Sequence, residues 1–187
     1  MVLVRHGETE WSASGRHTGR TDVPLTEIGR RQAKQLRTCL LEWSFARVLV
    51  SPLQRAAETA RLAGFDRTTT TADLMEWDYG RYEGRTTPDI REERPGWILW
   101  KDGVPGGETV EQLGRRADRV VEAVRVSGGD VALFAHGHIL RVLAARWVQL
   151  GPDSGSRFAL DTATVSVLGY ERETPVIRRW NERCGMP

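Results

Sequence analysis

Met1-Val2-Leu3-Val4-Arg5-His6-Gly7-Glu8 is the stretch around which the chain is organised. Its apolar residues, two of them β-branched, read as a short strand buried on both faces. The run ends on Arg5 and His6, and Gly7 then permits a sharp backbone turn. In open α/β sheets ligands bind beyond the carboxyl ends of the strands, which places His6 where chemistry is usually done. The same device recurs at Val131-Ala132-Leu133-Phe134-Ala135, a second buried run that ends on His136-Gly137. Were these two strands parallel neighbours, both imidazoles would emerge at one edge of one sheet. Two histidines and an arginine there suit a small anion, foremost a phosphate.

Working outward, Thr26 is a good N-cap for a helix whose Ala33, Leu36 and Leu40 form one buried face. Arg30, Arg31, Lys34 and Arg37 interleave with them as a solvated face. Arg47-Val48-Leu49-Val50 reads as another strand. Ser51 as N-cap and Pro52 at the first helical position would start the next helix, putting Arg55 in its first turn, an anion-friendly place. Thr68 to Thr71 suits an exposed edge strand. The aromatic and acidic stretch Leu74 to Gly84 is a structured loop, and Glu76 between Met75 and Trp77 is a candidate general acid whose pKa burial would raise. From Pro88 to Gly107, rich in Trp and Pro, a short helix and a loop are expected to form a lid beside the cleft. Arg91, Arg94 and Lys101 in it are candidates to meet a second phosphate.

Thr109 with Gln112 forms a capping box for a long helix with Val110, Leu113, Ala117, Val120 and Val124 inward. His138 to Leu150 reads as a buried helix. Thr164–Leu168 and Val176–Trp180 are final strands, with Pro175 in the turn between them. Strands alternating with helices predict an α/β fold, a three-layer α/β/α sandwich on a mostly parallel sheet, with 1–187 as one domain. The formal charge of +2, from 27 basic and 25 acidic residues, gives no general case for nucleic acid. No run suits a membrane span, and no signal-peptide pattern precedes the first strand. Cys39 and Cys184, far apart in sequence, are expected as reduced thiols in a cytoplasmic protein. The apolar helix and seven tryptophans leave room for a homodimer.

A phosphate ester needs fixed cations to neutralise its oxygens, an unprotonated nucleophile and a proton for the leaving alkoxide. Arg5 and Arg55 supply clamps, His6 a neutral imidazole, His136 a second cation and Glu76 the proton. The residues suggest no metal and no cofactor, because His6 and His136 lack a third ligand at convincing spacing. His17, in a polar loop, is expected to be merely exposed.

Taken together, Val4-Arg5-His6-Gly7-Glu8-Thr9, Asp22-Val23-Pro24-Leu25-Thr26-Glu27-Ile28-Gly29, Ser51-Pro52-Leu53-Gln54-Arg55-Ala56, Glu76 with Gly80 and Glu83-Gly84, and Ala135-His136-Gly137 resemble the histidine phosphatase superfamily, phosphoglycerate mutase-like branch. These blocks stand in the family's order over nearly the whole chain. The resemblance implies that His6 becomes a phosphohistidine, that Arg5, Arg55 and His136 bind the phosphoryl group, and that Glu76 is the acid/base. It also implies substrate contacts at Thr18-Gly19; His138, following Gly137 at a helix start, is by its position a further candidate to line the pocket with Gly137. Ser12 stands where many members carry asparagine, and its hydroxyl can still donate a hydrogen bond. Residues 84–107 lack the longer basic insertion of cofactor-dependent phosphoglycerate mutases. The expected activity is therefore metal-independent hydrolysis of a small phosphorylated metabolite, a sugar phosphate or bisphosphate among them. Trp11-Ser12, the stretch 76–84 and the stretch 97–103 look similar to the sedoheptulose-1,7-bisphosphatase branch, and bacterial proteins of that appearance are described as acid phosphatases or as mutase-like. A primer-dependent mutase, and a non-catalytic phosphate-binding module, are the alternatives.

Overall fold

The computed structural model describes residues 1–185. In chain order the elements are β1 (Val2–Arg5), α1 (Glu10–Ala13), α2 (Glu27–Leu40), β2 (Arg47–Val50), α3 (Gln54–Leu62), β3 (Thr69–Thr70), α4 (Thr87–Glu93), α5 (Leu99–Asp102), α6 (Val110–Arg125), β4 (Val131–Ala135), α7 (Gly137–Trp147), β5 (Thr164–Glu171) and β6 (Thr174–Arg183). The strands form one sheet in the order β3-β2-β4-β1-β5-β6. β1, β2, β3 and β4 run parallel, while β5 is antiparallel to β1 and β6 antiparallel to β5.

Why the two signature strands are apolar throughout follows from the layers. Leu3, Leu49 and Leu133 point into a core shared with α6 and α7, including Leu113, Ala117, Ile139 and Leu143. Val2, Val4, Val50 and Phe134 point the other way, against Leu36 and Leu40 of α2 and Ala56 and Ala60 of α3. A strand covered on both faces has no polar side to show, so period-two alternation is absent. This is the three-layer α/β/α sandwich. β1 pairs with β4 in register, Arg5 opposite Ala135, so the two His-Gly turns leave the sheet side by side.

Several local expectations are corrected. Ser51-Pro52 does not start α3; the helix begins at Gln54 after an uncapped Leu53. Ser51 instead uses its hydroxyl on His136 at 2.7 Å. Pro175 lies inside β6, opposite Tyr170, and the chain turns at Arg172, whose φ is 54°. The tryptophan-rich stretch is a wall of the core and no detachable lid. Trp97 is 2% exposed and its indole N–H donates to Gly103 O, while Trp77 and Trp100 meet edge to face at 5.3 Å. The apolar residues of α7 are spent on that same core, so this helix offers no free face for a dimer. Among the described residues no helix is long and apolar enough to cross a membrane.

Cys39 and Cys184 are joined in a disulfide, which overturns the expectation of free thiols. The antiparallel β5–β6 pair carries Cys184 back to Cys39 of α2, across a sequence separation of 145 residues.

The turn after His6 depends on a reciprocal contact between backbones. A Cβ on Gly29 would lie 2.1 Å from Glu8 O, and one on Gly7 would lie 2.4 Å from Gly29 O. Helix propensity alone favours alanine over glycine in α2 by about 1 kcal/mol. Overpacking against an immovable carbonyl reverses the sign, so Gly29→Ala is expected to destabilise by about 3 kcal/mol. Urea unfolding of the two proteins measures this, and a rise in stability would show that the contact yields.

Candidate active site

At the carboxyl edge of the parallel strands lies a cavity of ≈ 210 Å³. Of the ten expected site residues, Arg5, His6, Ser12, Thr18, Glu76, Gly137 and His138 line it. Arg55, His136 and Gly19 do not; they form the layer behind.

His6 is placed by its strand, its N–H donating to Ala135 O at 3.0 Å. Its Nδ1 lies 2.7 Å from Gly7 O. A carbonyl can only accept, so Nδ1 carries the proton and Nε2 keeps a free lone pair. Burial, with the charges of Arg55 and Arg5 beside it, holds the ring well below its ordinary pKa. The imidazole is therefore neutral at neutral pH, as a nucleophile must be.

His136 is fully buried, with its ring centroid 5.1 Å from that of His6. Arg55 Nε donates to its Nδ1 at 3.1 Å, which leaves Nε2–H to donate to Ser51 Oγ. Arginine has no acceptor, so this bond fixes the neutral Nε2–H tautomer. Burial and the Arg55 charge push the His136 pKa far down as well. The expected second cation is thus a neutral ring in this arrangement.

The remaining Arg55 nitrogens are committed to the 18–21 loop. Nη1 donates to Thr21 O at 2.9 Å, and Nη2 to Thr18 O and Gly19 O at 3.2 and 2.9 Å. Gly19 also packs where a Cβ would strike Trp77 O at 2.4 Å. Arg55 thus ties the loop to the histidine pair. Arg5 has a different surplus: Nη1 donates to Leu160 O, but Nε is buried without a partner among the described residues.

Glu76 is 5% exposed and sits at the amino end of α7. Its carboxylate accepts from the N–H groups of Trp77 at 2.9 Å, Ile139 at 3.0 Å and His138 at 2.9 Å. Burial pushes its pKa up, as expected, but the neighbouring His138 and these backbone donors outweigh burial and hold it well below 4.5. The protonated carboxyl expected from burial alone is corrected: these bonds favour the carboxylate. Two of these N–H groups, those of His138 and Ile139, are supplied by α7, far along the chain and out of reach of a local reading.

Sequence reasoning missed part of the lining. His17 is no exposed loop residue: it packs on Tyr79 and Trp97, and burial pushes its pKa down to about 4. Tyr79, whose pKa burial raises well above 10, bonds His138 Nδ1 at 2.7 Å. Arg16 and Arg141 also line the cavity. Arg141 stands four residues after Gly137 on α7, so helical spacing could have placed it on the same face. By contrast Arg91 donates to Trp97 O, Arg94 pairs with Asp102, and neither these nor Lys101 reaches the cavity.

Two histidines, two arginines and a carboxylate gathered at the carboxyl edge of a parallel sheet suit chemistry on a phosphoryl group. The sequence profile of the histidine phosphatase superfamily (branch 1) matches residues 1–183, and the chain belongs to that family. It is 47% identical over 175 residues to an acid phosphatase of Mycobacterium tuberculosis, covering 91% of this chain and 86% of that protein. It is 37% identical over 186 residues to the sedoheptulose 1,7-bisphosphatase of Saccharomyces cerevisiae, covering 80% and 68% respectively. The solved structure of open reading frame Rv3214 from Mycobacterium tuberculosis superposes with a TM-score of 0.93 at 44% identity, covering 97% of this chain and 96% of that one. The protein is a histidine phosphatase, a phosphoric monoester hydrolase.

Glu76 has a stability signature. A folded pKa below 4.5 means that its contribution is complete above that value and is lost as pH falls toward the depressed one. Glu76→Ala, which leaves three N–H groups without an acceptor, is expected to cost about 2 kcal/mol near pH 7. Melting curves of both proteins between pH 7 and pH 3 should converge on acidification; a constant gap would contradict the charged carboxylate.

Proposed function

We infer that the enzyme hydrolyses small phosphorylated metabolites, sugar phosphates and bisphosphates foremost, by passing the phosphoryl group through His6. The observation that carries this is the His6 ring itself: Nδ1–H is tied to Gly7 O and a bare Nε2 stands in a cavity shared with Arg5 and Glu76.

Nε2 attacks phosphorus, the ester P–O bond breaks, and the leaving oxygen takes a proton from the Glu76 carboxyl. In the second half Glu76 accepts a proton from water, whose oxygen attacks phosphorus. The P–N bond then breaks and phosphate leaves with His6 restored. Arg5, with its unpartnered Nε, and the amino end of α7 at Gly137 hold the phosphoryl oxygens. Ser12, Thr18, Gly137 and His138 bound the substrate. His136 and Arg55 act from behind, setting ring orientation and supplying fixed positive charge close to the reacting group. Gly19 serves through its carbonyl on Arg55.

The lowered pKa of Glu76 bears on where the needed proton comes from. A phosphomonoester loses its second proton near pH 6. Below that, the ester carries the proton in, and the negative phosphoryl group beside Glu76 raises the carboxyl pKa so that it can be handed over. Because burial and the neighbouring arginines hold the His6 pKa well below its ordinary value, kcat/KM should not fall as pH drops through 6.5, and should fall about tenfold per pH unit above about pH 6. A profile flat from pH 5 to 9 would remove Glu76 from the role. Glu76→Ala should cost about 10³-fold on an alkyl phosphate but far less on a nitrophenyl phosphate, whose leaving group needs no proton. Phosphate release without added metal, rapid-quench capture of acid-labile phosphate on the protein, and its loss in His6→Ala test the covalent step. Fast primer-dependent interconversion of phosphoglycerates with little hydrolysis would favour the mutase reading.

A further inference from the structure

Glu76 stands in a stretch that is neither helix nor strand, and a carboxyl that must pass a proton needs a fixed backbone as well as a fixed side chain. α7 holds the side chain through the N–H groups of His138 and Ile139. The backbone is held from a different helix. Arg116 of α6 is 9% exposed and takes no part in lining the cavity. Its Nη1 donates to Asp73 O at 2.8 Å and to Met75 O at 2.7 Å, and its Nη2 to Glu76 O at 3.2 Å. Nε and Nη2 also grip the Glu108 carboxylate as a fork, at 2.8 and 2.7 Å. All five N–H donors of the guanidinium are thereby used.

Glu108 does more than neutralise this cation. Its N–H donates to Asp78 O at 2.9 Å, and its carbonyl accepts from the Trp77 indole at 2.7 Å. The chain on both sides of Glu76 is therefore fastened to one buried ion pair. Such a pair is a costly way to join two segments where apolar packing would serve, but no apolar side chain can grip a carbonyl. The two anchors of Glu76 differ in kind. Bonds from N–H groups to a carboxylate weaken when the carboxyl takes up a proton, because they draw their strength from its charge. The bond from Arg116 ends on a carbonyl and does not depend on that proton. Glu108 balances the charge of Arg116, so this anchor adds little to the forces that keep Glu76 ionised.

We propose that Arg116, held by Glu108, is a positioning residue for proton transfer, keeping Glu76 aligned with the leaving oxygen and with the attacking water through both protonation states without touching the substrate. This rests on the phosphatase reading above, with Glu76 as its acid and base. Lysine cannot take over the role, because an ammonium offers three donors on a point charge where the guanidinium offers a planar fork. Misplacing a catalytic group by about 1 Å costs up to about 10²-fold in rate. A displaced Glu76 harms only the steps in which it moves a proton. The loss is therefore confined to esters whose leaving group needs a proton and to hydrolysis of the phosphohistidine.

The test compares an alkyl phosphate with a nitrophenyl phosphate in the wild-type enzyme, Arg116→Lys, Glu108→Gln and Glu76→Ala. Arg116→Lys is expected to lower kcat/KM by about tenfold to 10²-fold on the alkyl ester and by less than about threefold on the nitrophenyl ester. With the nitrophenyl ester it should also release a burst of nitrophenol and accumulate phosphate on His6, since dephosphorylation needs Glu76 as base. Glu108→Gln keeps the bonds of Arg116 to the carbonyls but loosens their support, so it should move the ester ratio the same way by less. In a Glu76→Ala background Arg116→Lys should move the ratio no further. Val120→Ala, which opens a cavity beneath the same helix, controls for loosened packing and should keep the wild-type ratio. Equal losses on both esters in Arg116→Lys overturn the proposal, as does an equal shift of the ratio in Val120→Ala. Should Arg116→Lys fail to fold, a wild-type ratio in Glu108→Gln overturns it instead. In each of these cases a shifted ratio in Glu76→Ala leaves the phosphatase reading intact. An unshifted ratio there removes Glu76 from its role and the proposal with it, and no turnover of either ester by the wild type overturns both readings.

Discussion

Everything at the site depends on the parallel pairing of β1 with β4. The ladder sets Arg5 opposite Ala135 and passes directly into the bond from His6 N to Ala135 O. Two imidazoles from residues 130 positions apart are thereby fixed with their ring centroids 5.1 Å apart. A slip of one residue would turn every side chain of either strand to the other face. Burial on both faces forbids such a slip energetically, since Leu3 and Leu133 belong to one core and Val4 and Phe134 to the other.

Around that pair the fold separates charge from nucleophilicity. The histidines are kept neutral by burial and by guanidinium groups that they do not touch as ion-pair partners. Arg55 is the clearest case: it is fully buried and surrounded by carbonyls of the 18–21 loop and one imidazole nitrogen. A buried cation satisfied by carbonyl dipoles keeps its charge for an incoming anion, whereas one paired to a carboxylate would be neutralised in advance. The same economy appears at Glu76, whose charge is held by backbone N–H groups and so remains free to respond when a negatively charged ester enters.

Much of this was legible in the residues. Apolar runs ending in His-Gly give strands and their carboxyl ends; Thr26 and Thr109 mark helix starts that the structure places at those positions. Motifs in a fixed order identify the family. Errors cluster where a residue's partner lies far off in sequence. Ser51 looks like an N-cap until His136 claims its hydroxyl. Glu76 looks protonated until α7 presents its free N–H groups. The tryptophans of the 88–107 stretch look like a lid until Trp97 is found inside the core. Cys39 and Cys184 look like free thiols until the β5–β6 pair brings Cys184 back to α2.

By itself, then, the sequence determined the strand and helix periods, the two histidines at strand ends, and the set of groups able to move a phosphoryl unit. These are properties of neighbouring residues, where hydrophobic period and capping chemistry act over a few positions. Only the tertiary structure decided which nitrogen of each ring is free, whether Glu76 is charged, and which arginines face the cavity. Protonation and orientation are set by hydrogen bonds and burial between distant segments, and those distances come into being when the sheet closes its two faces.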